Sequence, residues 1–179
     1  MSDEGHPPPG NGARTATEAA ADAPKPETAG ILLPPPVLFL GALGLGLGLD
    51  YLVPSDLPFA APVWTRSAGG AAGIAAGVLL IGWAFWLFRR AGTEVDPYRP
   101  TSAIVSSGPY RYSRNPIYVG LVLVYAGLAA LFGGPWCWLL LPVAIAVLHF
   151  GVIRREEAYL ERRFGDDYRA YRGRVRRWL

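Results

Sequence analysis

Residues 117–153 read IYVGLVLVYAGLAALF-GG-PWCWLLLPVAIAVLHFGVI. Two apolar runs, 117–132 and 135–153, are parted only by Gly133-Gly134, and neither holds an Asp, Glu, Lys or Arg. About 20 apolar residues of helix cross the hydrocarbon core of a bilayer. The second run meets that length and the first falls a little short. In lipid the backbone must satisfy its own hydrogen bonds, so an apolar run of this length is a helix. A Gly-Gly-Pro turn between two of them predicts a tight helical hairpin.

Two further apolar runs lie upstream: 31–53, ILLPPPVLFLGALGLGLGLDYLV, and 68–88, AGGAAGIAAGVLLIGWAFWLF. The expected fold is therefore all-α and membrane-embedded. It has about four transmembrane helices, a cytoplasmic re-entrant or interfacial loop, and a cytoplasmic helix after the fourth span. Three regions follow from this: a tail over 1–30, two transmembrane helices over 31–88, and a region over 89–179 that holds the polar loop, the hairpin and the last helix. Small residues spaced by four, Gly44/Gly48, Gly69/Gly73 and Gly73/Gly77, are expected to let helices approach closely. The run Gly44-Leu45-Gly46-Leu47-Gly48 is no nucleotide loop, because it sits inside a span with no strand before it.

Charge gives the orientation. Arg89, Arg90, Arg99, Arg111 and Arg114 lie between the second and third spans, and nine more Arg follow the fourth. The loop between the first two spans holds only Arg66. The positive-inside rule puts both termini and the 89–116 loop in the cytoplasm, as for a bacterial inner-membrane protein. The net charge of +3 conceals a tail over 1–30 that sums to −3 and a remainder at +6. The basic residues border apolar segments, which points to anionic membrane lipid and away from nucleic acid.

Composition excludes other classes. The tail is rich in Pro, Ala, Gly and Thr and cannot bury enough surface to order itself, so it is expected to be disordered. It lacks the basic n-region of a signal peptide. One cysteine, Cys137, rules out an internal disulfide, and only two histidines argue against a metal centre. Between Trp136 and Trp138, Cys137 reads as a small buried hydrophobe.

Two polar segments flank the hairpin. The loop AGTEVDPYRPTSAIVSSGPYRYSRNPIYVG over 91–120 gathers Tyr110, Arg111, Tyr112 and Arg114 between the turns Gly108-Pro109 and Asn115-Pro116. Arginine forks bind carboxylate or phosphate, and tyrosine faces suit adenine or a cation. An interfacial aromatic belt with lipid-facing arginines is the plainer alternative. The segment RREEAYLERRFGDDYRAYRGRVRRWL over 154–179 is helical in pattern, with Leu160, Phe164, Tyr168 and Tyr171 on one face. Gly165-Asp166 is expected to break that helix. Glu156 has no basic neighbour three or four residues away, and Glu157 stands beside it. A carboxylate there must meet solvent, Arg111 or Arg114 from the loop, or a ligand.

The run Gly108-Pro109-Tyr110-Arg111-Tyr112-Ser113-Arg114-Asn115-Pro116-Ile117-Tyr118-Val119-Gly120 resembles the first motif of isoprenylcysteine carboxyl methyltransferases and the related phospholipid methyltransferases. Glu156-Glu157, Leu160, Phe164-Gly165, Tyr168 and Tyr171 resemble their second, and the likeness covers about 89–179. It implies S-adenosylmethionine bound on the cytoplasmic side, between loop, last span and tail. The implied cofactor shell is Tyr110, Arg111, Arg114, Asn115, Pro116, Tyr118, Gly120, His149, Glu156 and Glu157. The implied catalytic groups are Glu156, Glu157 and Arg114, and no metal is implied. Many members carry His where this chain has Asn115, which cannot titrate near neutrality. The implied partner is a lipophilic or lipid-attached methyl acceptor, first a prenylcysteine-type carboxylate. A phospholipid, small amine or thiol acceptor, a sterol-type membrane reductase and a non-catalytic membrane protein are the alternatives.

Overall fold

The computed structural model describes residues 33–54, 62–92 and 104–179. The expected disordered tail over 1–30 lies outside them. The described chain runs α1 (Pro35–Leu52), α2 (Val63–Arg90), α3 (Pro116–Phe132), α4 (Pro135–Leu148) and α5 (Arg154–Arg174). A 3₁₀ turn, Gly108–Arg111, precedes α3, and a π turn, His149–Ile153, joins α4 to α5. Proline lies in the first turn of α1, α3 and α4, where its missing N–H has no helical partner to lose.

The protein is an all-α membrane protein. α1, α2 and the continuous stretch Pro135–Arg174 are each long and apolar enough to cross a bilayer. α3 has 17 residues, or about 25 Å at 1.5 Å per residue. Large apolar side chains such as Leu40, Leu79, Val143 and Phe150 are exposed on the outer faces, as side chains turned to lipid tails must be. Helix α5, the expected helix after the fourth span, continues directly from it. The wide π turn carries the chain into α5 without a break, and the helix then kinks at Gly165, with φ at 52°. The expected break at Gly165 is thus found inside one long helical stretch.

α3 is the pivot. It packs along α2 on one side and meets α1 and α4 on the other, and α1 packs on α4. The α2–α3 contact is a glycine seam. A Cβ on Gly77 would lie 2.6 Å from the Gly120 carbonyl oxygen, and one on Gly127 would lie 2.6 Å from that of Gly70. These glycines recur every seven residues, two helical turns, on antiparallel helices. Of the expected small-residue pairs, Gly73/Gly77 faces this seam, but Gly69, Gly44 and Gly48 have no neighbour within 4 Å. Gly70 and Gly46 carry the contacts instead, Gly46 against Cys137.

Away from the arginine-rich end, two long-range caps close the Gly133-Gly134 turn. The Arg66 guanidinium donates to the carbonyls of Ala130 and Gly133, at 3.0 and 3.2 Å. Asp50 accepts the backbone N–H groups of Gly134 and Trp136, at 2.7 and 3.1 Å. The core between α1, α3 and α4 holds Phe39, Tyr125, Ala129, Cys137, Ala144 and Leu148. The Tyr125 hydroxyl donates to the Cys137 carbonyl at 2.8 Å, which satisfies a phenol that would otherwise be buried without a partner.

Candidate active site

Three pieces meet at the arginine-rich end: the corner 108–118, the start of α5 and the segment 175–177. The Gly108–Arg111 turn is set by Gly108, whose φ of 57° suits glycine. Any Cβ there would strike Leu87 of α2. The turn lays Tyr110 edge-on against Phe88, with ring centroids 5.3 Å apart. The Tyr171 hydroxyl donates to the Tyr110 carbonyl at 2.9 Å, pinning the turn to the far half of α5. Burial first, then the neighbouring Tyr171 and Glu156, raises the Tyr110 phenol well above its ordinary range.

The segment 175–177 holds the corner from the other side. Ser113 and Arg176 form an isolated parallel bridge. The Arg114 N–H donates to the Arg176 carbonyl at 2.9 Å. The Asn115 side-chain amide donates to the Arg177 carbonyl at 3.0 Å. Asn115 therefore works through a fixed amide donor, a task that needs no titratable group. Pro116 is buried at the first position of α3, which fixes where the corner ends and the helix starts.

The two glutamates have different partners. Glu157 is buried and engaged by two arginines. Arg177 grips it as a fork, Nε to Oε1 at 2.9 Å and Nη2 to Oε2 at 2.7 Å. Arg114 Nη1 adds a contact to Oε1 at 3.1 Å. The fork holds the Arg177 guanidinium above its ordinary value. Glu156 turns to α3, where it accepts the Tyr118 hydroxyl at 2.6 Å. It lies beyond the apolar stretch, which ends at Ile153. Burial pushes its carboxyl up to about 7, the Tyr118 hydrogen bond opposes that rise, and the charge of Glu157 adds to it.

The structure thus brings Tyr110, Arg114, Asn115, Pro116, Tyr118, His149, Glu156 and Glu157 together at one end of the helices. His149 Nε2 lies 3.4 Å from Arg177 Nη1. Arg111 is exposed and Arg114 meets Glu157, so the partner of Glu156 is a phenol where Arg111 or Arg114 was expected. Gly120 faces Gly77 and Ile81 of α2, where its role is helix contact. Sequence reasoning missed Arg177, Ser113 and the hydroxyl of Tyr168, which lies 3.5 Å from Arg114 Nη1. The signal for Arg177 was present in the run Arg176-Arg177-Trp178, but basic residues beside a span read first as lipid contacts.

The cluster combines two cations on one buried carboxylate, a carboxyl of near-neutral pKa and two phenols beside lipid-facing helices. One donor is left over: the Nε–H of Arg114, in a side chain 9% exposed, has no acceptor among the described residues. No group of three metal-ligating side chains occurs among the described residues.

A family model described as "Phospholipid methyltransferase" matches residues 65–167, from the start of α2 to just past the Gly165 kink. An uncharacterized protein of Haemophilus influenzae is 41% identical over 63 residues, 35% of this chain and the whole of that one. The Protein-S-isoprenylcysteine O-methyltransferase of Schizosaccharomyces pombe is 38% identical over 72 residues. That match covers 40% of this chain and 30% of the yeast protein. No solved structure gives a significant match.

Proposed function

This chain belongs to the phospholipid methyltransferase family, and on that premise we propose that it is an S-adenosylmethionine-dependent methyltransferase acting on a lipid-attached acceptor. The observation that carries the reading is the buried Nε–H of Arg114, unmatched among the described residues. A buried donor without an acceptor costs about 1–3 kcal/mol. A ligand carboxylate at that position removes the cost, and charge-assisted pairing with arginine is stronger than a neutral bond.

The residues present fit such a cofactor. Arg114 would offer its donor to the carboxylate, Glu156 and Tyr118 would offer acceptors for an ammonium group or ribose hydroxyls, and Tyr110 lies close to both of them. When bound, S-adenosylmethionine supplies a methyl group already activated by its sulfonium. The protein's task is then to orient an acceptor and keep water out. Access from the bilayer is open in principle, because α3 stands between α2 and α4 and those two scarcely touch. The arginine-rich end, with the site in it, is cytoplasmic on the positive-inside rule.

For the acceptor we propose a carboxylate of prenylcysteine type, by analogy with the yeast relative's name. Such an anion is already a nucleophile and asks no base of the protein. The second reading is a lipid amine. It is favoured by Glu156, whose near-neutral carboxyl is matched to accept a proton at the working pH.

Transfer of tritiated methyl from S-adenosylmethionine separates these readings. The protein in vesicles is offered an N-acetyl-S-prenylcysteine and, separately, phosphatidylethanolamine. The first reading expects a base-labile methyl ester and the second a base-stable N-methyl product. Label on neither acceptor removes both, and failure to bind the cofactor at all removes the methyltransferase reading.

A further inference from the structure

Arg177 lies outside the two motifs, yet it joins most of the site. Its side chain holds both oxygens of Glu157 and reaches His149. Its carbonyl receives the Asn115 amide and, at 3.4 Å, the Ser113 hydroxyl.

The consequence falls on Arg114. Arginine and carboxylate prefer to meet fork to fork, with two parallel hydrogen bonds. Arg177 has taken that arrangement with Glu157. Arg114 is left with a one-sided contact to Glu157, Nη1 to Oε1 at 3.1 Å, and its Nε–H has no acceptor among the described residues. If the Arg177 guanidinium were absent, Glu157 would keep a buried charge with one oxygen free. The nearest cation able to satisfy it is Arg114, which has an idle Nε–H. Turning Arg114 into a fork with Glu157 would consume the donor that the ligand needs.

We infer that Arg177 is a positioning residue: by occupying both oxygens of Glu157, it holds Arg114 in the orientation that leaves Nε–H for the carboxylate of a bound cofactor. This rests on the cofactor reading proposed above. In this role it acts on the cofactor through Arg114.

The test uses the full chain in detergent and two ligands, S-adenosylhomocysteine and its decarboxylated counterpart, with affinities measured by calorimetry. Arg177→Ala weakens S-adenosylhomocysteine by at least about tenfold, the scale of one charged hydrogen bond. It leaves the weaker, decarboxylated ligand within about twofold, because that ligand does not use the Arg114 donor. Arg177→Lys falls between, since an ammonium meets a carboxylate as a point charge. If the alanine variant elutes as aggregate, the lysine variant decides by the same comparison between ligands. Equal loss for both ligands, or loss for neither, overturns the positioning role. Failure of the unaltered protein to bind S-adenosylhomocysteine overturns the cofactor reading itself, which is a separate result.

Discussion

Tyr118 donates its hydroxyl hydrogen to Oε1 of Glu156 at 2.6 Å, joining the first turn of α3 to the first turn of α5. The bond favours the ionised carboxylate, while burial favours the neutral acid and wins, leaving the group at about 7. Two outcomes follow. Tyr118→Phe moves the Glu156 titration upward, as seen in the infrared carboxyl band that Glu156→Gln identifies by its loss. Stability follows the same shift. The folded state holds this proton more tightly than the unfolded chain, whose carboxyl titrates near its ordinary 4.5. Glu156 therefore destabilises the fold increasingly as pH rises from about 4.5 to about 7. The melting temperature in detergent should carry a downward component over that window, absent in Glu156→Gln.

Glu157 stands between two guanidinium groups, and its removal leaves both without their anion. Breaking a buried pair from one side costs about 3–5 kcal/mol. The Arg177 side chain is 35% exposed and can turn partly to water, so Glu157→Ala should cost about 2–3 kcal/mol. Thermal unfolding in detergent measures this. The double variant Glu157→Ala/Arg177→Ala should lose less than the sum of the singles, because the second change removes one of the stranded charges. Strict additivity would mean that the two groups do not interact in the folded protein.

The hairpin was legible because apolar length and a Gly-Gly-Pro turn act locally, and α3 and α4 need little else to form. The meeting of corner and tail was legible through Glu156, which lacks a partner on its own helix and so had to find one elsewhere. Its partner was not legible: a phenol 38 residues away leaves no charge pattern to read, whereas Arg111 did. Nor was Arg177, which reaches Glu157 from beyond the Gly165 kink, where helical spacing no longer predicts neighbours. The glycine register failed for a related reason. Spacing shows which residues are small, but the partner helix decides which of Gly69 and Gly70 faces inward.

The seam turns that distinction into a measurement. Gly77→Ala or Gly127→Ala puts a methyl 2.6 Å from a carbonyl oxygen of the facing helix, contact that neither backbone can relieve without moving. Overpacking of this kind costs about 1–3 kcal/mol. Gly69→Ala has open space around its Cβ and should be neutral or slightly stabilising, since alanine is the better helix former. Melting temperatures of the Gly69 and Gly77 variants compare the two faces of α2 directly, and the Gly127 variant tests the seam from α3. A loss at Gly69 equal to that at Gly77 would show that helix α2 is rotated from the seam described here.

Asp50 and Arg66 treat the Gly133-Gly134 turn as a helix end treats its caps, but from other helices. The last carbonyls of α3 are acceptors without helical donors, and Arg66 supplies donors to Ala130 and Gly133. The first N–H groups of α4 are donors without helical acceptors, and Asp50 supplies the acceptor. Each charge faces the end of α3 or α4 whose dipole favours it, although Asp50 stands in the last turn of α1 and Arg66 in the first turn of α2, where their own helix dipoles oppose them. Asp50→Ala should lower stability by about 1–2 kcal/mol, the usual effect of removing a cap. Asp50→Asn should lose less, because the amide oxygen still accepts one N–H. Both should leave ligand affinity at the arginine-rich end unchanged, since Asp50 lies at the opposite end of the helices. Melting and ligand titration on the same samples check the two halves of this prediction, and lost affinity in a variant that still folds would mean that the turn and the site are coupled through α3.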